Sequence, residues 1–338
     1  MKKFRVGVIG GGAIAQACHI PGFAAAKNCE LVALADPDPK IRKMVSEKWT
    51  FARQYSDHAS MLAAEELDVV SIGTPNVFHK PIAIDCMKKG IPAMLLEKPI
   101  AISLAEGKAI ADAAKKYGTR VMVGFSHRFN AYAQSAKAAL DKGLIGKPYM
   151  IRVRFAHTGP FPGWAKTDWF YNPKLSGGGA MLDMAIHGFD LVQYYLGPVT
   201  AVMAKAATLR KKIKVDDNNV TLLEFGNKAL GYVETGWTSP SGYCGVEIMG
   251  DNGCIYVDYN SKVTMVVGAR TADGKFEEKT SVLCDKMNRA WDGEMAYFTS
   301  QLGKRSKFCV GLPEGLAALK VALGAFKSSQ TGRRVAIS

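Results

Sequence analysis

The sequence has no apolar run long enough to cross a lipid bilayer. A membrane-spanning helix needs roughly 18 or more consecutive apolar residues, whereas the longest apolar stretches of this 338-residue chain, such as Ile91–Leu96, have the length of a buried strand. The basic start Met1–Lys3 is followed by the short apolar run Val6–Ile9 and then by glycines, which indicates a first strand and not an export signal. We therefore expect a cytoplasmic protein that does not bind a membrane.

Paired cysteines and nucleic-acid-binding motifs are also missing. The seven cysteines are scattered and never spaced as C-x-x-C, so we expect neither a disulfide framework nor a bound metal. The net charge is +14, but the basic residues are spread along the chain, and the densest run, Arg210–Lys214, is followed directly by Asp216 and Asp217. Without a recognised motif, this charge predicts a basic surface and not a nucleic-acid interface.

The chain does contain enough apolar residues, 48% of the total, for two domains. In its first part, apolar runs predict strands at Phe4–Ile9, Leu31–Ala35, Val69–Ile72, Ala93–Leu96 and Val121–Phe125, and amphipathic stretches predict helices at Ala13–Ala26, Pro39–Thr50, Phe78–Lys89 and Ser103–Tyr117. Strands that are apolar on both faces are typical of a parallel sheet covered by helices. Residues 1–126 are therefore predicted to form a doubly wound α/β domain of the Rossmann type, which binds a dinucleotide.

After residue 127 the pattern changes to strands separated by turn signals. The predicted strands are Met150–Ala156, Val199–Thr208, Val220–Phe225, Leu230–Trp237, Val246–Met249 and Cys254–Asp258, and the predicted helices are Ala180–Leu196, Met287–Leu302 and Pro313–Ser328. Consecutive strands joined by glycine-containing turns favour an antiparallel sheet. Residues 127–338 are predicted to form an α+β domain with an open sheet for substrate binding and oligomerisation, whose last helix packs back toward the first domain.

Three glycines follow the first predicted strand and precede the first predicted helix, in the pattern G-x-G-x-x-A. In a dinucleotide-binding turn, Gly10 would permit the tight turn, Gly12 would let the backbone approach a pyrophosphate, and small Ala15 would let the helix pack on the strand. The helix N-terminus, at Ala13 and Ile14, would offer its N–H groups to the phosphates.

Asp36 ends the second predicted strand, where a carboxylate would accept hydrogen bonds from the adenosine ribose hydroxyls. Asp36 and Asp38 would repel a 2′-phosphate, which favours NAD. NADP stays open as an alternative, because Lys40, Arg42 and Lys43 are near enough in sequence to bind that phosphate.

Two further groups predict chemistry on a hydroxyl or carbonyl carbon. Lys98 follows an apolar strand and precedes Pro99, which keeps it out of the helical region and directs its amine toward the ligand-binding edge of the sheet. Asp183 and His187 are four residues apart on a predicted helix, so they share a face. An aspartate beside a histidine orients the imidazole as a proton acceptor, although an ordinary surface pair is the alternative.

Candidate substrate contacts are less constrained by pattern. Polar and aromatic side chains suit a polyhydroxylated ligand, whose apolar face stacks on an aromatic ring. On this basis we expect contacts from Arg128, His157, Trp164 and Tyr243.

The order of these motifs resembles the glucose-fructose oxidoreductase, inositol dehydrogenase and rhizopine-catabolism (Gfo/Idh/MocA) family over nearly the whole chain. The resemblance is carried by the glycine loop, Asp36, Thr74-Pro75-Asn76 with His79, Glu97-Lys98-Pro99, Gly124-Phe125 with Arg128-Phe129, the segment Gly177–Asp190 and the last helix before Gly332. It implies a Rossmann domain followed by an α+β domain whose sheet commonly mediates dimers or tetramers.

The resemblance also implies an activity, namely NAD(P)-dependent hydride transfer at a carbinol carbon of a sugar, polyol or cyclitol. It places Thr74-Pro75-Asn76 and His79 along the cofactor, Glu97 near its ribose, and Lys98, Asp183 and His187 at the reacting carbon. The histidine at 187 resembles inositol-dehydrogenase-like members, since other members carry tyrosine there. Two alternatives stay open: an NADPH-dependent keto- or anhydro-sugar reductase, and a non-catalytic NAD(P)-sensing regulator.

Overall fold

The computed structural model describes residues 3–165 and 167–337 of the chain. The chain forms two compact units. The first contains the chain up to Ser126 together with Phe161–Gly177 and Trp291–Leu316, and the second contains His127–Pro160, Gly178–Ala290 and the chain from Ala317 onward. Compactness alone does not show which segments fold independently, so the domain boundaries predicted from the sequence stay a prediction.

The regular elements follow the sequence closely. The strands are β1 (Phe4–Ile9), β2 (Cys29–Ala35), β3 (Arg53–Tyr55), β4 (Val69–Ile72), β5 (Ala93–Leu96), β6 (Arg120–Val123), β7 (Pro148–Ala156), β8 (Val199–Ala207), β9 (Asn218–Phe225), β10 (Leu230–Gly236), β11 (Tyr243–Gly250), β12 (Gly253–Asp258), β13 (Val263–Arg270), β14 (Phe276–Cys284) and β15 (Val335–Ala336). The helices are α1 (Ile20–Ala25), α2 (Pro39–Lys48), α3 (His58–Ala64), α4 (His79–Lys88), α5 (Leu104–Tyr117), α6 (Ala131–Asp141), α7 (Pro173–Ser176), α8 (Ile186–Leu196), α9 (Ala290–Ser300) and α10 (Leu312–Thr331). Two π-helical turns, Ala15–His19 and Met181–Ala185, directly precede α1 and α8.

The first unit contains a parallel six-stranded sheet in the order β3-β2-β1-β4-β5-β6. Strands β4 and β5 are buried at every position, because both faces of a parallel sheet are covered. The strand order reverses between β1 and β4, and ligands bind beyond the carboxyl ends of the strands at such a point. The predicted doubly wound fold is confirmed.

The second unit contains a nine-stranded sheet in the order β14-β13-β12-β11-β7-β10-β9-β8-β15. All its pairs are antiparallel except β7 with β10. Helix α8 lies on one face, where a Cβ added at Gly188 would be 2.7 Å from Val233 and 3.5 Å from Val153. The predicted α+β fold with an open, mostly antiparallel sheet is confirmed.

Sequence patterns missed helices α3 and α6, strand β13 and two strands that have no buried residue. Strand β3 has no buried residue, and none of the nine residues of β14 is buried. Apolar alternation marks a strand only where one face is covered, so these two strands left no signal. Within the described residues, no helix, including the 20-residue α10, is both long and apolar enough to span a membrane.

Candidate functional site

The glycine loop follows β1 at the switch point of the first sheet. Gly10 adopts φ +88°, and a Cβ there would lie 2.7 Å from the carbonyl oxygen of Gly73, so only glycine fits without strain. The Gly10 amide donates to the carbonyl of Ala35 at 2.8 Å. Apart from its own atoms and its chain neighbours, no described atom lies within 4 Å of a Cβ placed on Gly12, which leaves the backbone open to a ligand on that side.

Asp36 holds the glycine loop from the end of β2. Its Oδ2 accepts the Gly11 amide at 2.8 Å, and its Oδ1 accepts the Asp38 amide at 2.9 Å. Each carboxylate oxygen can accept a further hydrogen bond, so the group could also bind a ribose hydroxyl. The Arg42 guanidinium donates to the carbonyls of Asp36 at 2.6 Å and Pro37 at 3.2 Å. A 2′-phosphate would have to compete with these two carbonyls for the guanidinium.

The loop after β4 carries the next predicted cofactor contacts. The Oγ1 of Thr74 is buried and has no hydrogen-bond partner among the described residues, although buried hydroxyls normally have one. The Asn76 side-chain amide donates to the carbonyl of Ser176 at 2.8 Å, which leaves its carbonyl oxygen for other contacts. The unpartnered hydroxyl of Thr74, the open backbone at Gly12 and the carboxylate of Asp36 all lie in the first unit. Together they fit the binding of a dinucleotide.

His79 is fully buried and connects two loops. Its Nδ1 lies 2.8 Å from the carbonyl oxygen of Pro99, and its Nε2 lies 2.9 Å from that of Thr74. Burial lowers the pKa of His79, and the two carbonyls oppose that shift. This geometry favours a role in holding the Thr74 and Pro99 loops together.

Glu97 and Lys98 lie at the carboxyl end of β5. Glu97 is buried, and its Oε1 is 3.0 Å from Nε2 of His19. The other oxygen, Oε2, accepts the backbone N–H of Lys98 at 3.2 Å. A Cβ at Gly124 would come within 2.7 Å of Glu97 Oε1, so the glycine makes room for this carboxylate. Lys98 is partly exposed, and its peptide bond to Pro99 is cis.

Asp183 lies in the π-helical turn before α8, in the second unit. Its Oδ2 accepts a hydrogen bond from the indole Nε1 of Trp237 at 3.2 Å, and both side chains are buried. Asp216 holds the start of this turn, because its carboxylate accepts the amides of Gly179 and Met181, each at 2.8 Å. Burial raises the pKa of Asp216, although these two amides oppose the shift. Single π-helical turns are frequent at functional sites.

His187 is buried in the first turn of α8, among other rings. The His127 ring lies 4.7 Å from it between centroids and stacks on Phe155 at 4.8 Å. The Nδ1 of His127 is 3.3 Å from the Tyr259 hydroxyl oxygen, and burial raises the pKa of that tyrosine. The structure thus places a second imidazole against the predicted proton acceptor.

Two of the predicted substrate contacts, Arg128 and Tyr243, interact with other side chains of the second unit. The Arg128 guanidinium makes two hydrogen bonds of 2.7 Å to the buried carboxylate of Asp190, which favours a structural role. Tyr243 packs against Arg154 at 5.1 Å, on the sheet face opposite the one that contacts α8, because side chains alternate along a strand. The structure therefore does not bring Tyr243 together with Asp183 and His187.

The remaining two predicted substrate contacts are His157, which makes a hydrogen bond, and Trp164, which is exposed. In the second unit, Nδ1 of His157 accepts the Gly159 amide at 2.8 Å, and its Nε2 faces the sulfur of Met184 at 3.0 Å. In the first unit, Trp164 is exposed and meets the Phe170 ring edge-on at 5.1 Å.

Pattern reasoning missed the groups that hold the predicted site residues in place. These are His19 beside Glu97, His127 beside His187, and the pair Trp237 and Asp216 around Asp183. His127 is next to Arg128, a predicted substrate contact, and Trp237 is the last residue of a predicted strand. Both residues were therefore close to features that the sequence had already indicated. Their partners are distant in sequence, which is why no spacing pointed to them.

Two parts of the chain match known domain families. Residues 4–125 match the oxidoreductase family with an NAD-binding Rossmann fold, and residues 133–256 match the GFO/IDH/MocA C-terminal domain. Among curated relatives, the scyllo-inositol 2-dehydrogenase (NAD(+)) of Bacillus subtilis (strain 168) is 30% identical over 254 residues, covering 70% of each chain. The D-glucoside 3-dehydrogenase of Escherichia coli (strain K12) is 25% identical, covering 98% of this chain and 97% of that protein.

The likeness extends to solved structures. A levoglucosan dehydrogenase in complex with NADH and L-sorbose superimposes with a TM-score of 0.89 at 24% identity, over 100% of both chains, and so has the same fold. The predicted cofactor class and family are confirmed by these matches and by the glycine loop. The chain belongs to the Gfo/Idh/MocA family of oxidoreductases and carries its NAD-binding Rossmann domain.

Proposed function

We propose that this chain is an NAD-dependent dehydrogenase that oxidises a secondary alcohol of a sugar, polyol or cyclitol. The named relatives support this substrate class, since one is a dehydrogenase of an inositol and another of a D-glucoside. The observation that carries the proposal is the presence of Lys98, Asp183 and His187, a cation and an acid–base pair, in a chain with this NAD-binding domain.

The cofactor would lie along the glycine loop, with its ribose at Asp36 and its other end near Glu97. When bound, NAD supplies the acceptor for the hydride. Gly12 leaves its backbone open, and the N–H groups of Ala13 and Ile14 are proposed to face the pyrophosphate. Thr74-Pro75-Asn76 would contact the cofactor directly, and His79 would hold that loop in place.

The chain's own side chains would handle the proton and the developing charge. Lys98 is proposed to donate a hydrogen bond to the substrate oxygen and to stabilise its negative charge as the carbon is oxidised. His187 is proposed to accept the hydroxyl proton, with Asp183 orienting the imidazole. The Trp237 indole holds Asp183 at 3.2 Å, which keeps that carboxylate from rotating. His157 and Trp164 remain our proposed substrate contacts.

A substrate screen with NAD and NADP, followed by the absorbance of the reduced nicotinamide, tests the activity. Turnover of a ring or chain hydroxyl with NAD supports the proposal. NADH binding without turnover of any sugar, polyol or cyclitol would instead favour the non-catalytic regulator. Faster reduction of a keto- or anhydro-sugar with NADPH would favour the reductase.

The role of Lys98 is tested by Lys98→Met, with Lys108→Met on the exposed face of α5 as the matched control. Because the charge acts on the transition state, we expect kcat to fall roughly 100-fold or more in Lys98→Met, with the Kd of NADH within about threefold of wild type. The control should keep normal kcat. Near-normal kcat in Lys98→Met would contradict the assignment.

We further propose that the chain forms a homodimer or homotetramer through the exposed face of the nine-stranded sheet. Cross-strand register places Met203 beside Leu222 and Leu222 beside Tyr232 on that face, and Leu222 is 53% exposed. Such apolar surface is typical of an interface. Light scattering should show that Leu222→Glu weakens the oligomer, whereas Leu104→Glu on α5 does not. A monomeric wild type would refute the proposal.

The cytoplasm is the proposed compartment. All seven cysteines are free, and three of them, Cys18, Cys29 and Cys86, are buried. Burial raises the pKa of Cys29 to about 11 and that of Cys86 to about 12, so both remain thiols near neutral pH. Free thiols are typical of proteins in reducing compartments. Localisation of a tagged chain in its own cells tests this.

A further inference from the structure

A cluster of titratable side chains is buried behind the loop that carries Lys98. It consists of Cys18, His19, Glu97 and Glu294, which we call the buried acid cluster; His19 and Glu294 are fully buried, and the other two are nearly so. All four belong to the first unit. Buried ionisable groups are costly unless they are paired, so their presence here points to a specific use.

Hydrogen bonds connect this cluster to the Lys98 backbone. His19 ends the π-helical turn that follows the glycine loop. Its Nε2 is 3.0 Å from Glu97 Oε1, and Glu97 Oε2 accepts the N–H of Lys98 at 3.2 Å. One carboxylate therefore bridges the imidazole and the peptide from which the lysine side chain begins.

The surroundings of Glu97 are tight and contain a second carboxyl group, that of Glu294. Gly124 leaves only enough room for Glu97 Oε1, since a Cβ there would be 2.7 Å away. On α9, Oε2 of Glu294 lies 3.7 Å from the Cys18 sulfur, which donates to it. Burial, and then the negative charge of Glu97, raise the pKa of Glu294, which favours the neutral form of Glu294.

We propose that His19 is a positioning residue for the dehydrogenase reaction, holding Glu97 so that it orients the Lys98 peptide and hence the origin of its ammonium group. The inference rests on the role proposed above for Lys98. His19 acts through Glu97 and contacts neither the substrate nor the reacting atoms. Its effect on rate comes from the placement of Lys98, where small displacements from the productive geometry are costly.

Three variants of His19 separate this role from a purely structural one. His19→Leu removes the donor, and His19→Asn keeps a polar side chain too short to reach Glu97. His19→Gln is the conservative variant, because its amide nitrogen extends about as far as Nε2. The matched control is His58→Leu, which removes another histidine–carboxylate pair of the first unit, Nε2 to Asp85 Oδ2 at 3.3 Å.

We expect kcat to fall roughly 10- to 100-fold in His19→Leu and His19→Asn, as for the loss of one hydrogen bond to a charged group. His19→Gln should recover kcat to within about threefold of wild type, and His58→Leu should leave it unchanged. The KM for NAD should change less than kcat. Glu97 lies near one end of the proposed cofactor site, but the glycine loop and Asp36, which bind the other end, are intact. If His19→Leu fails to fold, His19→Asn and His19→Gln still give the comparison.

A second readout needs neither coenzyme nor substrate. Hydrogen exchange at the Lys98 amide, resolved by mass spectrometry with fragmentation, should accelerate in His19→Leu and His19→Asn and stay slow in His19→Gln. Unchanged exchange, or a His19→Gln variant as impaired as His19→Asn, would overturn the proposal. Failure of the proposed function is recognised separately, by a wild type without turnover or a fully active Lys98→Met.

Discussion

Replacing Asp36 with serine should reverse much of the preference for NAD over NADP. The substitution removes a negative charge from the end of β2 and an acceptor proposed for the ribose hydroxyls. Hydrogen bonds to a charged acceptor contribute about 1.5–3 kcal/mol, so NADH should bind roughly 10- to 100-fold more weakly.

The same change should relieve repulsion of a 2′-phosphate. Two negative charges about 6 Å apart repel by about 3 kcal/mol at an effective dielectric constant near 20, and salt reduces this. The two effects together should lower the ratio of the Kd values for NADPH and NADH by about 10³-fold or more at low salt, and by less at high salt. The amides of Gly11 and Asp38 also lose their acceptor, which should lower the free energy of unfolding by about 1–3 kcal/mol.

Fluorescence titration with NADH and NADPH measures this ratio without a known substrate. Asp38→Asn is the matched control, since it removes one charge two residues away but keeps the side-chain oxygen that caps α2 by accepting the Lys40 amide. Asp38→Asn should leave the Kd of NADH within about threefold of wild type, because Asp38 is not proposed to contact the ribose. If Asp36→Ser leaves the ratio unchanged, or if Asp38→Asn weakens NADH binding equally, Asp36 does not contact the ribose.

Three further predictions concern residues that support the proposed site residues. Gly179→Ala places a Cβ 1.9 Å from the carbonyl oxygen of Asp216, so urea unfolding should show a loss of about 3 kcal/mol or more. Trp237→Phe removes the hydrogen bond to Asp183 and should lower kcat roughly tenfold, while the Kd of NADH stays constant; an unchanged kcat would contradict the orienting role. Because burial raises the pKa of Glu294, the folded chain keeps a proton that the unfolded chain releases above its ordinary pKa. The free energy of unfolding should therefore fall by about 1.4 kcal/mol per pH unit from this group as pH rises toward its folded pKa. Glu294→Gln should lack that contribution when both proteins are unfolded at several pH values, and equal slopes would show that Glu294 is ionised in the folded state.

Local patterns in the sequence were sufficient for most of the fold. Strands β1, β4 and β5 have the predicted bounds, because most of their residues are apolar and buried. The glycine loop was predictable for a different reason: a tight turn between a strand and a helix needs residues without side chains at Gly10 and Gly12. The NAD-binding family follows from such short-range features, and the domain matches confirm it.

The placement of the site side chains depended on contacts between distant parts of the chain. His19 and Glu97 are 78 residues apart, Arg128 and Asp190 are 62 apart, and Asp183 and Trp237 are 54 apart. Sequence patterns therefore identified chemically competent side chains without showing that Arg128 is bound by Asp190 or that Glu97 is held by His19. Local propensity and periodicity are properties of neighbouring residues, whereas the partner of a buried charge is chosen by the packing of the complete fold.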